Sequence, residues 1–227
     1  MALTSITVVD TEVGEFNIPA WVKDLASFRR WVEEDDTLDF GRVGYLKGSV
    51  WIDMSKEQLY THNAVKTELT IVLGGLVKAE RLGRYFSDGV LLCNVPADVS
   101  GQPDGTFVSN ERLDSGLVND IVGKRDGGFV ELEGSPDLVI EVVSPGTVRK
   151  DTVRLRQAYW EAGVTEYWLI DARTEPLKFD ILRHTVRGYV AARRQGGWVK
   201  SAVLGHAFRL TQTFDPRGRQ DYTLEVR

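Results

Sequence analysis

The sequence predicts an α/β fold, a central sheet flanked by helices with an antiparallel β extension at its C-terminal end, and three observations carry that expectation. Apolar residues recur at helical spacing through Val65, Leu69, Val72, Leu73, Leu76 and Val77. Leu138-Val139-Ile140-Glu141-Val142-Val143 is a nearly continuous apolar run, the pattern of a strand buried on both faces. After Leu177 the chain breaks into short β runs at turn-marked intervals.

Element by element, a short helix is expected over Leu25 to Val32, then two strands around Lys47-Gly48 within Val43 to Met54. The strongest helix is expected from about Lys56 to Leu82, ending near Gly83; Gly74-Gly75 inside it implies close packing or a kink. Runs at 84–86, 90–95, 105–108 and 128–132 read as strands separated by Gly, Asp, Asn and Pro. Asp151 to Ala162 reads as a helix with Gly163 just past its end, and Glu166 to Asp171 as another interior strand, so strand, helix and strand form a right-handed crossover around residue 141. The tail runs at 177–184, 188–194, 198–203, 208–210 and 222–226 extend the same unit, which makes 1–227 a single domain with a core of about 43–184 and an extension of about 185–227.

Composition narrows the function. At 227 residues, 42% hydrophobic and 27% charged, the chain is that of a packed globular protein. Its one cysteine, Cys93, lies in an apolar run, so neither an internal disulfide nor a thiolate metal cage is expected. The start, Met1-Ala2-Leu3-Thr4-Ser5, lacks the basic and apolar regions of a secretion signal, and no stretch of eighteen apolar residues occurs; a cytoplasmic location away from membranes is the expectation. A net charge of −5 argues against coating nucleic acid through a general positive field, but basic residues gather at Lys124-Arg125 and at Arg149, Lys150, Arg154 and Arg156.

Chemistry concentrates around Glu141. A carboxylate in an otherwise apolar strand is expensive unless it is paired or binds a cation, and Asp137 alternates onto the same face. A second acid stands in a near-duplicate context: Pro103-Asp104 and Pro136-Asp137 each precede a strand, and if those strands are neighbours Asp104 approaches Glu141. Two carboxylates at adjacent strand ends offer the hard oxygen ligands that Mg²⁺ or Mn²⁺ prefers. The turn Ser144 to Lys150 leads into the next helix and brings Lys150 back toward them.

Pro136-Asp137-Leu138-Val139-Ile140-Glu141-Val142-Val143-Ser144-Pro145, an acid opening a helix, and then Glu166-Tyr167-Trp168-Leu169-Ile170-Asp171 resemble the Uma-type endonucleases of bacteria, within the restriction-endonuclease-like PD-(D/E)xK superfamily. The resemblance spans roughly Gly44 to Asp180 and includes Met54-Ser55 ahead of His62. It implies a restriction-endonuclease-like core with a central mixed sheet, Asp104 and Glu141 as the metal-holding acids, and nucleic acid, DNA foremost, as substrate. The superfamily lysine would fall at Val143, and a lysine common in Uma-type helices at Leu155, so the cation must come from elsewhere; Lys150 is the first choice and Arg154 the second.

Blander roles stand beside these. Asp137 either joins the metal shell or caps the strand turn. His62 faces the site from the end of the long helix or is a satisfied half-buried histidine. Glu68 is a surface glutamate or a further ligand. No Gly-x4-Gly-Lys-Ser/Thr loop, Gly-x-Ser-x-Gly elbow or zinc spacing of the histidines at 62, 184 and 206 occurs. The expected function is a Mg²⁺- or Mn²⁺-dependent endonuclease, the alternative a catalytically silent nuclease fold that binds nucleic acid or a protein. A homodimer formed through edge strands of the β-rich tail is the expected assembly.

Overall fold

A computed structural model describes residues 5–10, 14–34, 42–53, 56–124 and 127–227. Met54-Ser55 of the family resemblance and Arg125 of the first basic cluster lie outside the described residues. The chain opens with an antiparallel pair, β1 (Ser5–Asp10) and β2 (Gly14–Pro19), followed by α1 (Leu25–Glu34), which buries Leu25, Phe28 and Trp31.

Two six-stranded mixed sheets follow. One holds β3 (Arg42–Leu46), β4 (Ser49–Asp53), β6 (Leu91–Asn94), β7 (Val99–Gly101), β9 (Val118–Val122) and β10 (Phe129–Gly134) in the order β4-β3-β7-β6-β10-β9. Lys47 and Gly48, at φ 46° and 80°, make the left-handed two-residue turn between β3 and β4 that the Lys-Gly pair predicts. The other holds β5 (Gly83–Ser87), β8 (Gly105–Ser109), β11 (Leu138–Val142), β12 (Glu166–Asp171), β13 (Lys178–Thr185) and β14 (Gly188–Ala191) in the order β14-β13-β12-β11-β8-β5. β11 lies at its centre with all five residues buried, parallel to β12 and antiparallel to β8.

Helices cover both faces of this central sheet. On one, α2 (Ala64–Glu80) packs Val65, Leu69, Leu73 and Val77 against Leu138, Ile140, Val142 and Trp168, in the same apolar cluster as Phe208 and Leu224 of the C-terminal strands. On the other, α4 (Arg156–Glu161) sets Ala158 and Tyr159 against Val139 and Tyr167. Alternate residues of β11 therefore serve opposite cores, and Glu141 takes the α4 side. The remaining strands, β15 (Arg194–Gln195), β16 (Trp198–Lys200), β17 (Ala207–Phe214) and β18 (Gln220–Val226), form a separate antiparallel sheet. Buried Glu166 of β12 ties it down by accepting from Ser201 Oγ at 2.7 Å and Ala202 N at 2.6 Å. No described helix is long and apolar enough to cross a membrane.

Elements the pattern misses include the opening pair β1 and β2, the three-residue β7, the edge strand β9, and α3 (Asn110–Asp114) capped by Ser109. Two helices are preceded by a π-type stretch, Leu59–Asn63 before α2 and Lys150–Leu155 before α4. Such stretches are uncommon and cluster at functional sites, and these two carry His62, Lys150 and Arg154.

The glycine pair in α2 corrects the expectation of tight packing. A Cβ on Gly74 would make ordinary contact with the Tyr85 ring at 3.7 Å, and one on Gly75 would meet nothing within 4 Å. Gly75→Ala is therefore expected to stabilise the protein by about 0.5–1 kcal/mol in urea denaturation, through the lower entropy of the unfolded chain. Destabilisation would mean that α2 needs its glycine.

Candidate active site

The antiparallel register pairs Leu138 with Phe107, Val139 with Thr106 and Ile140 with Gly105, so one further step sets Asp104 opposite Glu141. Asp104 N donates to Ile140 O at 3.1 Å, and Val142 N donates to Asp104 Oδ2 at 2.7 Å. These bonds lock the acid at the strand end. Gly105 permits the approach: a Cβ there would lie 2.7 Å from the Tyr85 hydroxyl and 3.2 Å from Ile140. Asp104 and Glu141 are 4% and 3% exposed.

Their surroundings differ. Asp104 is ringed by bases: Arg42 Nη1 bonds Oδ1 at 2.8 Å, His62 Nε2 lies 3.5 Å from Oδ2, and Lys66 Nζ lies 3.8 Å from Oδ1. A second tier of acids holds those bases. Asp88 Oδ2 takes Arg42 at 2.5 Å and Lys66 at 2.6 Å, and Glu57 takes His62 Nδ1 at 2.7 Å and also pairs with Lys66. Burial pushes the Asp104 carboxyl up, but the His62 bond, the charges of His62 and Arg42 and the Val142 N–H outweigh it and hold the group down at about 2. Burial pulls His62 down, and its bond to Asp104, the Asp104 charge and its bond to Glu57 together outweigh this, leaving it raised.

Glu141 meets the opposite balance. Burial lifts its carboxyl well above the usual range; the Lys150 ammonium is the chief opposing charge, and Asp151 and Asp104 add to the rise. Tyr159 donates its hydroxyl to Glu141 Oε1 at 3.0 Å. Lys150 shares the wall of one cavity with Glu141 and lies 3.3 Å from Asp151 Oδ1. Burial works against the Lys150 ammonium, yet the Glu141 and Asp151 charges keep its pKa raised. Asp151 is itself buried, its carboxyl driven up to about 6 chiefly by burial, with the Lys150 ammonium opposing the rise.

The predicted residues are thus divided. Asp104, Glu141, Lys150 and His62 come together. Asp137 lies at the other end of β11, where it accepts from Ser109 N at 2.7 Å and Arg112 Nε at 3.1 Å. Glu68 accepts from Leu224 N at 2.7 Å and so fastens β18 to α2. Arg154 is exposed, with its guanidinium 4.5 Å from the Trp51 ring centroid. Sequence reasoning passed over Arg42, Lys66, Asp88, Asp151 and Tyr159. His62 and Lys66 share a helix face at i, i+4, a signal open to inspection; Arg42 arrives from 62 residues away in sequence with no local signal.

Asp104 and Glu141 fit a hard divalent cation. Mg²⁺ commonly takes only one or two carboxylates and keeps several waters, so two buried strand acids suffice. Among the described residues, the three-residue cluster of ligand atoms close enough to share one ion is elsewhere: Cys93, Glu131 and Glu133. Arg29 bonds both of those glutamates and already supplies the positive charge there.

Comparison with known proteins agrees with this architecture. A profile of the Uma2 family, described as "Putative restriction endonuclease", matches residues 26–215. Among solved structures, one described as "a putative nuclease belonging to DUF820" from Anabaena variabilis ATCC 29413 superposes with a TM-score of 0.53 at 19% identity, covering 72% of this chain and 83% of that one. At that identity the likeness shows the shared fold. No curated protein matches the chain.

The two acids should respond oppositely to neutralisation. Asp104→Asn removes the partner of a buried basic cluster and is expected to cost about 3 kcal/mol in metal-free urea denaturation. Glu141→Gln relieves a charge the fold disfavours. Because the folded carboxyl is raised, the wild type loses stability as pH climbs above about 4.5; the variant's advantage should be absent at pH 4 and grow by at most about 1.4 kcal/mol per pH unit above it. Equal destabilisation by both substitutions would contradict this electrostatic picture.

Proposed function

The chain belongs to the Uma2 restriction-endonuclease family, and from that premise we propose that it is a divalent-metal-dependent endonuclease hydrolysing phosphodiester bonds in nucleic acid, DNA foremost. The observation that carries this reading is the placement of two buried acids on adjacent strands, Asp104 opposite Glu141, with the Lys150 ammonium as the chief positive charge acting on Glu141.

Asp104 and Glu141 would hold Mg²⁺ or Mn²⁺. When bound, that ion polarises phosphoryl oxygens and lowers the pKa of water. The chain's own groups do the rest. Tyr159 fixes the Glu141 carboxylate through its hydroxyl, and Val142 N fixes that of Asp104. Lys150, on the cavity wall beside Glu141, supplies a compact positive charge to a phosphate oxygen as negative charge develops there. It replaces the cation that Val143 and Leu155, both buried and apolar, cannot supply. On the other side Arg42 leaves a third of its side chain open to solvent while bonding Asp104, where it can meet a neighbouring phosphate.

A second reading, a scaffold that binds nucleic acid without cutting it, draws on one observation: each oxygen of Asp104 is already engaged, by Arg42 on one side and by Val142 N on the other. A carboxylate oxygen accepts more than one partner, so this occupancy does not close the site.

Plasmid nicking separates the two. The nuclease reading predicts turnover with Mg²⁺ or Mn²⁺ that is abolished by chelation and by Asp104→Ala or Glu141→Ala. Lys150→Ala should reduce it by about two to four powers of ten, with Lys150→Arg a poor rescue because a planar fork does not replace a compact ammonium. Nicking that persists in either acid variant would sink the assignment, and no nicking with any divalent ion would favour the silent scaffold.

A further inference from the structure

The cavity that reaches Glu141 and Lys150 runs on between the β3–β4 hairpin and the segment leading into α4, and it has a volume of about 140 Å³. A cavity near 150 Å³ holds one benzene ring, so the space matches a single six-membered ring rather than a base pair. Its walls are chemically mixed. Tyr45, Trp51 and Tyr159 contribute aromatic surface, and Arg154 stacks on Trp51 and holds the indole in position. Arg42 and Lys150 line the same cavity, so two cations bracket the approach to Glu141.

Two wall residues also carry unmet hydrogen-bonding capacity. Trp51 Nε1 and Ser100 Oγ are buried and have no partner. Buried polar groups are rarely left unpaired, and an indole N–H can only donate. Both atoms lie just behind the cavity's open surface, so a flat ring that enters is held first by its faces against the aromatic wall, and its edge atoms meet Trp51 and Ser100 as those side chains settle around it. A base inside a duplex has its edges committed to pairing and its faces to stacking, so only an unpaired one could enter.

We propose that this cavity receives a single unstacked nucleobase of pyrimidine size, from the strand whose phosphate lies beside Asp104 and Glu141. The inference rests on the nuclease reading for the position of that phosphate. It makes single-stranded or locally unpaired nucleic acid the preferred substrate, with Trp51 and Ser100 as binding residues. Aromatic stacking is the usual way proteins hold unpaired bases.

Calorimetric titration of the metal-free 227-residue protein in chelator tests the cavity without reference to turnover. Deoxycytidine 5′-monophosphate should bind at least about tenfold more tightly than 2-deoxyribose 5-phosphate, which lacks the base. Trp51→Ala should weaken the nucleotide about ten- to a hundredfold while leaving the sugar phosphate unchanged. Trp51→Phe and Ser100→Ala, which keep the packing, should each cost about three- to tenfold. Equal binding of the two probes, or nucleotide binding indifferent to Trp51→Phe and Ser100→Ala, overturns the proposal. Cleavage of a single-stranded oligonucleotide against its perfect duplex provides the second arm, and the single strand should be cut about tenfold faster. Trp51-dependent nucleotide binding with no cleavage under any divalent ion would remove the nuclease reading and keep the cavity. Cleavage that ignores both strandedness and Trp51→Phe would do the reverse.

Discussion

The pairing of β8 with β11 is the constraint on which the rest depends. It brings an acid at the start of one strand level with an acid inside the other, in a sheet covered on both faces, and the backbone bonds at Ile140 and Val142 leave Asp104 little freedom to move away. Every other feature of the site answers the resulting concentration of buried negative charge. The basic cluster of Arg42, His62 and Lys66 absorbs Asp104, and Lys150 partly offsets Glu141.

This division of labour separates stability from chemistry. Asp104 is well compensated and holds two sheets and α2 together at one point, since Arg42 comes from β3, His62 and Lys66 from the start of α2, and Asp88 from beyond β5. Glu141 is under-compensated: burial and the neighbouring acids Asp151 and Asp104 outweigh Lys150 and the Tyr159 bond. A group kept in a disfavoured charge state is common where a site awaits a positively charged ligand. A divalent cation would supply what the fold withholds.

The core and the acids were legible because their signals are local. A glutamate interrupting Leu-Val-Ile-x-Val-Val announces a buried charge, the repeated Pro-Asp marks two strand starts, and the stripe through Val65, Leu69 and Leu73 places α2. What stayed hidden depends on sequence separation. Arg42 reaches Asp104 across 62 residues, and Glu68, on the same helix as Lys66, is spent on Leu224 N across 156. The β9 edge strand alternates too weakly to announce itself, and the openness around Gly75 is a matter of what lies beyond the helix rather than within it. Asp137 shows the limit of strand periodicity: it shares a face with Glu141, but it sits at the far end of β11, where Arg112 and Ser109 satisfy it.

The central claim is that Asp104 and Glu141 together form a metal site. Anomalous diffraction from crystals grown with Mn²⁺ tests it most directly. The account predicts a peak within ligand distance of both carboxylates, with Lys150 beside it, that disappears in Glu141→Gln. A peak confined to Cys93, Glu131 and Glu133, or no peak at all with Arg42 still seated on Asp104, would contradict it.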